Sequence, residues 1–275
     1  MPIVAMTREM GSLGKDIAQG VAEALHIPLI YHEIIDVLAD KLRVRKSHVM
    51  RLLDGQASFF DRLTSDTTSL SIYTVAEIFQ LASRDNGAVF RGWGAVHILR
   101  DVPHTVCVRV CAPRELRAQR MMERLGTRDQ ARVLSEIDAS DEAAAAIVRR
   151  NFHADWSEVS HYDVVLNTER LNTAQCIDEI LKLVNSPNFA ESAGSRAILA
   201  DLALQAAARA ALRSTRATRA MKLSVVVDRG RITLDGIVDS NTERATAEEV
   251  VARIAGCIEV VNRLRSAGEM RARFA

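Results

Sequence analysis

One decapeptide constrains the rest of the chain. Thr7-Arg8-Glu9-Met10-Gly11-Ser12-Leu13-Gly14-Lys15-Asp16 lies between an apolar run, Ile3 to Met6, and an amphipathic pattern, Ile17 to Leu25. A strand-like run, a glycine-containing turn and a helical pattern, in that order, bring backbone N–H groups and a helix N-terminus to one point. That arrangement cradles phosphate. Lys15 directly follows the second glycine, where a phosphate-binding lysine belongs. The full pattern G-x-x-x-x-G-K-[ST] is half met, because Glu9 stands at the first glycine and Asp16 at the hydroxyl that would face Mg²⁺. The other reading of these residues is a strand-to-helix turn that needs glycine for positive φ.

Beyond the decapeptide, short apolar runs alternate with helical periodicity. Strands are expected at 2–7, 29–31, 88–92, 105–112 and 162–168, and helices at 14–26, 32–42, 72–82 and 173–184. Residues 44–85 read as helical with a break near Asp54-Gly55, and one long arginine-bearing helical segment runs over 114–152. Strands alternating with helices argue for a parallel sheet covered on both faces, with ligands beyond the carboxyl ends of the strands. This topology gathers 8–15, 91–94 and 113–120 at one edge of the sheet.

Residues 186–195 hold Pro, Ser, Asn and Gly and read as a linker. Beyond it the pattern changes to an alanine-rich helix at 196–214, a hairpin at 223–238 turning at Asp228-Arg229-Gly230-Arg231, a helix at 242–255 and a strand at 258–264. This α-β-β-α-β unit is too short for an enzyme of its own and reads as a binding module. The expected organisation is therefore a first domain over 1–185, a linker, a second domain over 196–268 and a tail over 269–275.

Composition removes several function classes. The 275 residues carry a formal net charge of +1, so no global field favours nucleic acid or anionic lipid. Four cysteines form no C-x-x-C pair, which argues against a zinc site or a disulfide framework and for reduced thiols in the cytoplasm. No run of ~18 apolar residues suggests a membrane span. The opening Met1-Pro2-Ile3 has none of the features of a signal peptide.

Four stretches carry a family likeness. They are 7–15, Ile27-Pro28-Leu29-Ile30-Tyr31, Ala112-Pro113-Arg114-Glu115-Leu116-Arg117, and Tyr162-Asp163-Val164-Val165-Leu166-Asn167-Thr168. In this order and spacing, residues 3–184 resemble the cytidylate kinase-like branch of the nucleoside monophosphate kinases. That branch often has R-E-x-G-S-x-G-[KR] in its loop, so Glu9 fits it. Residues 196–268 resemble a BON domain through Val225-Val226-Val227-Asp228, Ile232-Thr233-Leu234-Asp235-Gly236-Ile237-Val238 and 256–264.

The resemblance implies a P-loop kinase-like fold and ATP-dependent phosphoryl transfer, with Mg²⁺, to a pyrimidine nucleoside monophosphate. It implies that Arg8, Gly11, Ser12, Leu13, Gly14, Lys15 and Asp16 bind the nucleotide, with Asp16 facing the metal through water. Lys15, Arg117 and Arg120 would stabilise the transferring phosphoryl group. Arg91, Trp93 and Asp54 fall where the acceptor would lie. The BON-like part implies a protein or phospholipid partner; no nucleic acid is expected, and a homo-oligomer stays open.

Two departures are visible. The family's G-R-G turn is Gly92-Trp93-Gly94 here, with the arginine one residue earlier at Arg91. Where the family's lid helix carries an Asp followed by arginines, this chain reads Asp141-Glu142-Ala143-Ala144-Ala145-Ala146. Two other readings therefore stand beside the enzyme: a nucleotide sensor without turnover, and a protein whose two halves are interaction surfaces.

Overall fold

A computed structural model describes residues 1–31, 33–53, 67–92 and 94–267. The contacts divide the chain into two compact units, 1–67 with 84–192, and 68–83 with 193–275.

The first unit is built on a five-stranded sheet. Its strands are β1 (Ile3–Arg8), β2 (Leu29–Ile30), β3 (Ala88–Arg91), β4 (Thr105–Cys111) and β5 (Val164–Asn167), in the order β2-β3-β1-β4-β5. Every pairing is parallel. The strands are short and apolar because helices cover both faces. Val4, Met6, Val89, Val106, Val108, Val110 and Leu166 pack with Ile17, Ala18 and Val21 of helix α1 (Gly14–Leu25) and with Cys176 and Ile180 of a later helix, Thr173–Val184. Each such fully buried side chain contributes roughly 1.5–3 kcal/mol.

Strand β1 is central. The chain runs from it to β2 and β3 on one side, then crosses to β4 and β5 on the other. The carboxyl end of β1 therefore lies at the point where strand order reverses, and a crevice opens there. The following loop sits in that crevice.

The segment expected as one long helix over 114–152 is two. The first, Arg114–Leu125, ends at Gly126, whose φ is 63°. The second, Gln130–Phe152, starts at Asp129, whose carboxylate accepts from the Arg132 N–H at 3.0 Å. A left-handed glycine and an N-cap aspartate stop one helix and start the next. The segment expected as a linker is packed chain up to 192: Phe189 lies against the first core and Glu191 pairs with the Met1 ammonium at 2.8 Å.

The second unit holds an antiparallel hairpin, Leu223–Asp228 with Arg231–Val238, and a third strand, Glu259–Ser266, parallel to the hairpin's second strand. Helices Ala193–Ser214 and Asn241–Ala252 close over one face, burying Leu204, Ala208 and Leu212 at i, i+4 spacing against Val225, Ile232, Leu234 and Leu264. Helix Thr67–Ala82, which precedes β3 in sequence, groups with this unit from residue 68 onward, and the Arg213 Nε donates to Ser69 Oγ at 2.7 Å. No helix among the described residues is long and apolar enough to cross a membrane.

Candidate nucleotide site

The loop begins where β1 stops pairing. Gly11 and Leu13 both take positive φ, 82° and 63°, so successive amides turn toward one side. Gly11 cannot be replaced without cost, since a Cβ there would meet the Arg117 carbonyl oxygen at 2.8 Å. Gly14 opens helix α1 and is buried, and a Cβ there would stand 2.7 Å from the Arg8 Cβ. Within the loop the Ser12 N–H donates to the Glu9 carbonyl, and Asp16 and Ile17 donate to the Leu13 carbonyl. Among the hydrogen bonds of the described residues, the N–H groups of Gly11, Leu13, Gly14 and Lys15 have no protein acceptor. A helix N-terminus with several unsatisfied donors favours an anion.

These amides face a cavity of about 280 Å³ lined by residues 11–16, by Arg8, Arg91, Arg120 and Arg124, and by Tyr31 and Met121. With Lys15, five cationic side chains meet there beside one carboxylate, Asp16. Arg8 and Arg91 come from the ends of β1 and β3, Lys15 and Asp16 from the start of α1, and Arg120 and Arg124 from the helix after β4.

The expected arginines divide. Arg120 is anchored beside the loop: its Nη1 donates to Thr168 Oγ1 at 2.9 Å and its Nη2 to the Thr168 carbonyl at 2.8 Å. Both partners are neutral, so the positive charge stays available. Arg124, one turn on, reaches the same cavity. Arg117 is buried and does not line the cavity. It donates to the Ala112 carbonyl at 3.0 Å, the Met10 carbonyl at 3.1 Å and Asp141 Oδ2 at 2.6 Å. Two arginines three residues apart on one helix thus serve two purposes.

Arg91 lines the cavity in spite of its one-residue offset, with its guanidinium 3.8 Å from the centre of the Tyr31 ring. Arg91 is the last residue of β3, in register with Met6, and so stands at the carboxyl edge of the sheet. Ser12 shapes the loop rather than offering its hydroxyl, which donates to the Glu9 carbonyl at 2.8 Å. Trp93 and Asp54 lie outside the described residues.

Sequence reasoning missed Tyr31, Met121 and the task of Glu9. The Glu9 carboxylate accepts from Arg109 Nη2 at 2.9 Å and from the Ala112 N–H at 3.2 Å, and lies 3.5 Å from Arg117 Nε. Arg109 also donates to the Trp156 carbonyl and stacks on the Trp156 ring. The indole N–H of Trp156 in turn donates to Thr7 Oγ1 at 2.7 Å. Where the general pattern has a glycine, this loop has a half-buried anchor. An ion pair of this kind fixes geometry more than it adds stability.

Comparison with known proteins decides the family. The sequence profile of the cytidylate kinase-like family matches residues 3–170.

The chain belongs to the cytidylate kinase-like family.

The BON domain profile matches residues 200–268 of this family member. Among solved structures, an uncharacterized protein from Eubacterium ventriosum is similar at 22% identity and a TM-score of 0.54, over 68% of this chain and 99% of that one. A likeness at that identity speaks for the fold alone. Shikimate kinase from Bacteroides thetaiotaomicron is similar at 14% identity and a TM-score of 0.42, over 67% of this chain and 99% of that one. Curated proteins gave no match. The first unit is thus kinase-like by family and by sheet, and the second has the three-stranded mixed sheet and helices consistent with a BON domain.

Proposed function

We propose that the cavity takes the phosphates of ATP and that the protein transfers the terminal phosphoryl group to a pyrimidine nucleoside monophosphate. One observation carries the reading: among the described residues, four amides without protein acceptors and five cationic side chains line one cavity beside a single carboxylate. Those donors and that charge suit a polyphosphate.

In this reading the amides of Gly11 to Lys15 hold the donor's β-phosphate, and Lys15 spans the β- and γ-phosphates as charge moves in the transition state. Arg120, already oriented by Thr168, stabilises the equatorial oxygens, with Arg124 beside it. Arg8 lines the same wall. Arg117 acts from behind, holding the loop through the Met10 carbonyl. Asp16 is the carboxylate that would hold, through water, a Mg²⁺ arriving with the nucleotide, which would supply neutralisation of the phosphate charge. Arg91, stacked on Tyr31, faces the acceptor, with Trp93 and Asp54 assigned to the same end. The BON module docks a protein or phospholipid partner, and the protein works in the cytoplasm.

The test is ADP release in a coupled assay over CMP, dCMP, UMP and AMP. Turnover is expected with a pyrimidine acceptor and at background in Lys15→Ala. Wild-type turnover no higher than that control ends the reading. A second reading, nucleotide binding without turnover, is favoured by one feature: helix Gln130–Phe152 carries alanines at 143–146 where the family's arginines would stand. Calorimetric ATP binding in the absence of ADP release would select it.

A further inference from the structure

Helix Gln130–Phe152 lacks the family's arginines, yet it still reaches the loop. It does so with carboxylates. Asp138 takes a two-pronged ion pair from Arg114 at the exposed end of the interface. Asp141 sits deeper, its side chain 20% exposed, and divides its two oxygens. Oδ2 accepts from Arg117 Nη1 at 2.6 Å, and Oδ1 accepts from the Met10 N–H at 3.2 Å. Arg117 Nη1 also donates to the Met10 carbonyl, so Asp141 and Arg117 together hold both polar groups of one loop peptide residue. Met10 immediately precedes Gly11, the first of the amides that face the cavity.

We propose that Asp141 is a positioning residue for anion binding: it braces the loop from behind, through Met10 and Arg117, and thereby holds the amides of Gly11 to Lys15 in register. The inference rests on the nucleotide reading above. The opposite role, a carboxylate that occupies the anion's place, is disfavoured by location. Asp141, Met10 and Arg117 do not line the cavity, and the four amides without acceptors lie on the cavity side of the loop.

The brace makes a prediction of unusual sign. Taking a negative charge away from the neighbourhood of an anion site strengthens binding by simple Coulomb attraction. Loss of a brace weakens it. In the full-length chain, Asp141→Asn is expected to weaken ATP and inorganic triphosphate binding about tenfold, the size of one lost charge-assisted hydrogen bond. Glu142→Gln removes an exposed charge one residue away, and its affinity is expected to stay at or slightly above that of the wild type. Asp141→Glu keeps the charge and recovers part of the affinity. Calorimetry supplies the dissociation constants, and thermal unfolding checks that the variants stay folded.

Amide hydrogen exchange of the wild type gives a second measurement that needs no variant. The Met10 amide is expected to stay protected with and without ATP. If ATP deprotects it, Asp141 is being displaced and the brace is refuted. An Asp141→Asn variant that binds as tightly as the wild type, or tighter, refutes the brace and leaves the nucleotide reading intact. A wild type that binds neither ATP nor triphosphate removes both.

Discussion

In the loop at 9–15, Gly11 and Leu13 turn through positive φ; in the hairpin at 228–231, Arg229 and Gly230 do the same, at 50° and 75°. Each turn presents adjacent backbone amides to one side. In the hairpin the chain itself supplies the anion. Asp201, on helix Ala193–Ser214, accepts from the Arg229 N–H at 2.7 Å and from the Gly230 N–H at 2.9 Å. In the loop a carboxylate, Asp141, takes the Met10 N–H, while among the described residues the amides of Gly11, Leu13, Gly14 and Lys15 have no such acceptor and line a cavity ringed by cations. The same backbone device is filled from within in the hairpin, and in the loop it is the site proposed above for the phosphates. A charged acceptor within the chain satisfies the hairpin's amides, whereas the loop's amides stand at a helix start, where the partial positive charge favours an anion.

Lys15→Ala should separate the two turns most sharply. Losing the lysine is expected to lower phosphoryl transfer on the order of a thousandfold, about 4 kcal/mol of transition-state stabilisation, while thermal stability stays within about 0.5 kcal/mol. A variant that unfolds early instead would make the lysine structural, and the contrast would fail.

Gly11→Ala comes next, at about 3 kcal/mol. It combines a left-handed φ with a Cβ 2.8 Å from a backbone oxygen that belongs to the first turn of helix Arg114–Leu125. Both stability and ATP affinity should fall, as read by chemical denaturation and calorimetry.

Asp201→Ala empties the filled turn. It is expected to cost about 1–2 kcal/mol, since two backbone donors lose a charged acceptor, and to leave ATP affinity unchanged. A change in ATP affinity would show that the two turns do not act independently.

Acid gives the gentlest test. All seven histidines precede residue 162 and none falls in 68–83, so protonation of histidine touches the first unit only. The His97 pKa is lowered from 6.5 to about 4 by burial, then by His161 and by Arg100. Its ring lies edge-on to His161 at 5.0 Å and stacks on Phe152. The unfolded chain takes up this proton near the ordinary histidine pKa and the folded chain only near 4, so stability falls as pH drops between those values. The unfolding temperature of the first unit should fall across that window, and His97→Phe should flatten the fall. Equal acid sensitivity in both units would assign it to other groups.

The sheet was legible because helix and strand periods alternate over a long stretch, and periodicity is local. The loop was legible because its glycines and lysine are close together in sequence. Glu9 was not. It reads as a departure from a pattern until Arg109, a hundred residues away, arrives beside it on the neighbouring strand. Arg117 and Arg120 share a helix face by spacing, yet one turns to Asp141 and the other to Thr168. Helix Thr67–Ala82 reads as part of the first domain by order, and only contacts assign most of it to the second unit.

Local order along the chain fixed which segments become strands and helices, and that glycines and a lysine would meet at a helix start, because torsional preference and apolar spacing act between near neighbours. Which charges face the cavity and which are spent holding it was decided only in three dimensions. Ion pairs and shared acceptors form between residues far apart in sequence, and a guanidinium's partner is set by what the fold brings within about 3 Å of it.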